Sequence, residues 1–119
     1  MRNTEKLEER IVDFTVRVIK ISNSLPKNST GNYLADQIIR SAISPALNYA
    51  EARDSESRKD FIHKMKIVLK ELRETMVALK IISKFNLNKE DTILKDAINE
   101  NNELISIFVK SIETAKKNQ

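Results

Sequence analysis

The sequence predicts an all-α protein, an antiparallel up-down-up-down bundle of four helices, and three observations carry that reading. Leu7, Ile11, Phe14, Val18, Ile21 and Leu25 recur at alternating steps of four and three residues, and similar apolar stripes recur along the chain. That spacing gives a helix one apolar face, which must be buried against other helices. One Gly and two Pro in 119 residues leave too little turn-forming material for an all-β chain. At this length the chain has room for a single domain, residues 1–119, built on one core.

Helix one is expected over residues 5–24 and ends in Ser24-Leu25-Pro26-Lys27-Asn28-Ser29-Thr30-Gly31, the stretch densest in turn formers and the longest loop. Helix two runs from Asn32 to Arg53, with Leu34, Ile38, Ala42, Ala46 and Tyr49 on one side. Its small residues, among them Ser41, Ala42, Ser44 and Ala46, allow a neighbouring helix to approach closely. Pro45 lies inside this span and lacks the N–H that would bond the Ser41 carbonyl, so a kink rather than a stop is expected. Helix three starts near Ser57, which with Asp60 resembles a capping box, and carries Phe61, Met65, Val68, Leu69, Leu72, Met76 and Leu79 inward. Phe85-Asn86-Leu87-Asn88 interrupts the pattern. Asn88 with Asp91 caps helix four, which runs to Lys116 and faces the core with Leu94, Ala97, Ile98, Leu104, Ile105, Phe108 and Ile112. Connections after the first are short, which favours antiparallel neighbours.

Several chemistries are excluded by composition. The chain has no Cys, so disulfides, thiolate zinc sites and Cys nucleophiles are absent. Its amino-terminal stretch is charged, and nowhere do enough uncharged apolar residues follow one another to span a membrane, so a cytoplasmic protein is expected. A di-iron bundle needs Glu-x-x-His on two helices, and His63 is the one histidine. It reads as a surface residue beside the core stripe. No Gly-rich phosphate loop is possible with one Gly. Neither a cofactor, a metal nor a small-molecule substrate is expected, and the chain reads as non-enzymatic.

Charge is unevenly placed. The whole chain carries +4, and the segment 53–84 carries that amount by itself, with nine Lys or Arg against five Asp or Glu. On a helical wheel Lys59, Lys66, Lys70, Arg73, Lys80 and Lys84 gather on one flank of helix three. Asp60, Glu71 and Glu74 lie farther round, near Ile67, Ala78 and Ile81. A solvated face with spaced ion pairs is the plain reading. The sharper one makes Ile67, Val77 and Ile81 part of a subunit interface in which acidic and basic flanks meet head to tail, with the remaining cations following a phosphate backbone. On helix two, Arg40, Ser41, Ser44, Asn48 and Glu51 stand three or four residues apart beside the apolar stripe. A hydrogen-bonded network fixing helix register is the simpler reading, and a ligand site the alternative.

Those residues also carry a resemblance. Arg40, Ser41, Ser44, Asn48 and Glu51 fill an Arg-Ser-x-x-Ser-x-x-x-Asn-x-x-Glu string, and Phe61, Ile62, Lys66, Ile67, Glu71 and Glu74 fill Phe-Ile-x-x-x-Lys-Ile-x-x-x-Glu-x-x-Glu. Over residues 5–84 the chain resembles the four helix bundle protein family, also called the 23S rRNA intervening-sequence protein family. The resemblance implies a left-handed bundle that assembles into a homopentameric ring. A similar bundle is the accessory protein of diversity-generating retroelements, a basic pentamer that binds nucleic acid; the present chain is less basic. The expectation is a ring-forming bundle that binds RNA or a nucleoprotein through the basic flank of helix three. Arg40, Asn48, Glu51, Glu71 and Glu74 would hold the protomer or the ring together. The alternative is a protein–protein assembly or adaptor module with no nucleic-acid role.

Overall fold

Asn28 and Ser57 decide where two of the helices begin. Both have extended backbones, and both side chains accept from the N–H three residues on: Asn28 Oδ1 from Gly31 at 2.9 Å, Ser57 Oγ from Asp60 at 3.0 Å. Each satisfies a donor that the first turn leaves without a partner. In this computed structural model, which describes residues 3–85 and 91–118, the helices are α1 (Asn3–Asn23), α2 (Ser29–Arg53), α3 (Arg58–Lys84) and α4 (Asp91–Lys117). Helix α2 therefore starts three residues before the expected Asn32. The polar run Ser29-Thr30-Gly31 reads as loop by composition, yet the Asn28 cap recruits it into the first turn. The Ser57 cap is as expected, α2 continues through Pro45, and the proposed Asn88 cap lies outside the described residues.

Gly31 has a packing role. It is buried, and a Cβ there would collide with the Pro26 carbonyl oxygen, so the α1–α2 connection folds directly over the start of α2.

Each helix lies along two neighbours, α1 on α2, α2 on α3, α3 on α4 and α4 on α1, while the backbones of the diagonal pairs stay apart. That is the neighbour pattern of an up-down-up-down bundle. The molecule measures 47 × 25 × 21 Å, and no strand occurs among the described residues. The core follows the expected stripes: Ile11, Phe14, Val18 and Ile21 from α1, Ile38 and Ala42 from α2, Met65, Val68, Leu72 and Leu79 from α3, Leu94, Leu104 and Phe108 from α4. Tyr49 meets Phe108 edge to face, ring centres 5.6 Å apart, joining α2 to α4 across the core.

Several core positions are polar. Ser41 and Thr75 are buried and bond each other at 2.9 Å between α2 and α3. Asn101, fully buried on α4, reaches the α3 backbone; with its amide oriented to donate to the Leu72 carbonyl (3.2 Å), its oxygen accepts from Met76 N–H (3.1 Å). In α1 the buried Thr15 hydroxyl lies 2.9 Å from the Ala42 carbonyl of α2. Half-buried Arg10 closes the ring of helices, bonding Glu100 through both carboxylate oxygens (2.7 and 2.8 Å) and Glu103 at 2.9 Å.

Gly31→Ala tests the close approach at the first connection. The forced shift should cost about 1–3 kcal/mol, read as a lower denaturation midpoint in urea; an unchanged midpoint would mean that the Pro26 carbonyl yields freely.

Candidate nucleic-acid and assembly faces of α3

Because α3 lies between α2 and α4, its exposed surface divides into two flanks with different chemistry. The flank toward α2 is tied down by polar contacts. Arg40 Nη1 donates to Glu71 Oε1 at 3.3 Å, Ser41 meets Thr75 one turn along, and Lys64 Nζ donates to Glu51 Oε1 at 2.7 Å. Of the residues expected to form one network on α2, the seam thus brings Arg40, Ser41 and Glu51 to separate partners on α3. Ser44 and Asn48 are paired locally, Asn48 Nδ2 donating to both the Ser44 carbonyl and its hydroxyl oxygen at 3.0 Å.

Glu71 is the unusual group. Its side chain is 8% exposed, against 58% for Arg40, and its Oε2 is buried with no hydrogen-bond partner. Burial raises its carboxyl above the ordinary carboxylate value; Glu74 adds to the effect, while Arg40 and Lys70 oppose it. Sequence spacing put Glu71 and Glu74 together, but Glu71 is buried in the seam and Glu74 is exposed.

Above this seam lies a cleft of about 330 Å³ lined by Tyr33, Leu34, Gln37, Arg40, Ser41, Glu74, Val77, Ala78 and Ile81. Tyr33 is 65% exposed, Val77 58% and Ile81 39%, so apolar surface is left open here. Ile67 is half-buried. The periodicity placed Val77 and Ile81 off the core stripe. It missed Tyr33, whose seven-residue spacing from Arg40 was the available signal.

The other flank is basic. Lys59, Lys66, Lys70, Arg73, Lys80 and Lys84 are all exposed, and among the described residues none forms an ion pair. His63 and Val77, both exposed, complete the register 59-63-66-70-73-77-80-84, an unbroken outer stripe of four- and three-residue steps. At 1.5 Å per residue it extends about 38 Å along the helix. Among the described residues no three His, Cys, Asp or Glu side chains converge as a metal site, and no helix is long and apolar enough to cross a membrane.

The raised carboxyl of Glu71 has a definite sign. A folded state that binds the proton more tightly than the unfolded chain gains stability at low pH and loses that gain as pH rises through the raised value. Relative to Glu71→Gln, the parent should therefore lose thermal stability as pH rises above the ordinary carboxylate range. Paired melting curves check this, and a difference independent of pH would contradict it.

No functionally curated protein matches the chain. A solved structure from Bacteroides thetaiotaomicron, described as a protein of unknown function from the S23 ribosomal protein family, is similar over 94% of this chain and 99% of its own. The two share 26% identity and a TM-score of 0.82. The profile of the 23S rRNA-intervening sequence protein family matches residues 5–110, and the two strings on α2 and α3 fall within that range. The chain belongs to that family.

Proposed function

We propose that the protein is a non-enzymatic, ring-forming bundle that binds RNA or a nucleoprotein in the cytoplasm along the outer flank of α3. The carrying observation is the stripe of six exposed cations that form no ion pair among the described residues. Structural ion pairs would consume such charges, whereas a phosphate backbone needs them free. Residues three and four apart on a helix stand about 5–6 Å from one another, so the stripe presents positive charge at regular intervals. A family named for an rRNA intervening sequence is in keeping with an RNA partner.

Assembly is assigned to the α2–α3 cleft, where Tyr33, Val77 and Ile81 leave apolar surface beside Arg40 and Glu74. The resemblance suggests five copies. A head-to-tail contact closes into a ring when its rotation is right, and repeats the basic flank around it. An assembly module without RNA would keep the cleft and make no use of the flank; salt separates the two readings.

For a generic structured RNA, affinity should fall steeply between about 50 mM and 200 mM salt. Lys66→Glu with Lys70→Glu should weaken binding at least about tenfold at low salt and reduce the salt slope by about one per lysine. Unchanged affinity would remove this flank from the interface. Separately, Ile81→Asp should bring the mass seen by light scattering down toward the 13.7 kDa of one chain with helical content intact. A mass equal to that of the parent would place assembly elsewhere.

A further inference from the structure

Glu71 carries an unsolved hydrogen-bonding problem. One oxygen faces Arg40 at 3.3 Å; the other, Oε2, is buried and has no donor. A buried carboxylate oxygen without a donor is costly, and a carboxyl group can supply its own by keeping its proton. The cleft above is lined by α2 and α3 alone. The charged groups acting on Glu71 are Arg40 from α2 and Lys70 and Glu74 from α3. The one guanidinium that faces Glu71 is itself more exposed than buried.

We propose that Glu71 is held as a neutral carboxylic acid donating to the Glu74 carboxylate, and that this shared proton regulates docking of a cationic side chain from a second copy at the α2–α3 cleft. The inference rests on the ring reading, in which the cleft receives the next protomer. Its occupant is argued from charge: the chain's own outer flank offers exposed ammonium and guanidinium groups, and the cleft offers the Glu74 carboxylate, one turn from the buried Glu71. When such a cation arrives, the proton leaves Glu71 for solvent and the cation compensates the second negative charge. Docking releases a proton, so it strengthens as pH rises. The isolated bundle, by contrast, is stabilised by keeping the proton. The two effects have opposite signs.

Two measurements test this without RNA. In carbon NMR titration of the glutamate carboxyls at concentrations where the chain is dissociated, one group should titrate above the ordinary range and move back toward it in Glu74→Gln. In light scattering, the association constant should rise up to about tenfold per pH unit while the pair is protonated, and this dependence should be lost in Glu71→Gln. If every glutamate titrates normally, the inference is overturned even for a chain that assembles. If the shared proton is present but the chain assembles equally at every pH, the regulation is overturned and the ring reading stands. A chain that is a monomer at every pH overturns the ring reading and the regulation together, and the NMR titration still decides whether the proton is shared.

Discussion

Register is the constraint on which the rest of the structure depends. Leu, Ile, Val and Phe seams bury area well but slide past one another at modest cost, because the hydrophobic effect has no direction. Here three seams contain a buried polar contact that is made in one alignment of the helices. Thr15 reaches the Ala42 carbonyl between α1 and α2, Ser41 meets Thr75 between α2 and α3, and Asn101 contacts the Leu72–Met76 turn between α3 and α4. The fourth seam uses the half-buried Arg10–Glu100 pair. Slipping the α3–α4 seam by a turn would strand Asn101 in the core, which is how single polar residues specify register in helical assemblies. Thr15, Ser41 and Thr75 would keep the carbonyls of Ile11, Ile38 and Glu71 in their own helices and lose the contact across the seam.

That register gives α3 its two characters. With Ser41 opposite Thr75, Arg40 comes to Glu71 and Glu51 to Lys64, so the acidic residues nearest α2 are absorbed into the seam. Among the described residues, the lysines of the outer flank and Arg73 form no ion pair, and the exposed Asp60 and Glu74 lie farther round the helix. Likewise the cleft over Ser41 is open because Tyr33, Val77 and Ile81 stand beyond the line on which α2 and α3 close.

Much of this was legible from spacing alone. The apolar periods located four helices and most of the core, since an apolar residue repeating every 3.5 positions faces inward in a bundle. The outer basic stripe was legible for the same reason. Three features were not. The start of α2 was hidden because Ser29-Thr30-Gly31 has loop composition, and only the Asn28 bond makes it a first turn. Thr75 and Asn101 escape a stripe defined by apolar residues, although both occupy the heptad positions of their neighbours. Spacing gathers the polar residues of α2 into one group, but it shows which residues share a face and not which partner each meets. The distinction between Ser44–Asn48, closed on itself, and Arg40–Glu71, closed across the seam, belongs to tertiary structure. Glu71's burial is of this kind too, arising from how closely the small residues of α2 let α3 approach.

The account's central claim is that one flank of one helix meets RNA, and lysine footprinting reads that flank residue by residue. The protein is acetylated briefly with and without RNA at low salt, and modification at each lysine is quantified by mass spectrometry. Lys59, Lys66, Lys70, Lys80 and Lys84 should be protected, while the exposed Lys6, Lys20, Lys95 and Lys116 on other helices should react as before. Protection spread evenly over all lysines, or confined to α1 and α4, would contradict it.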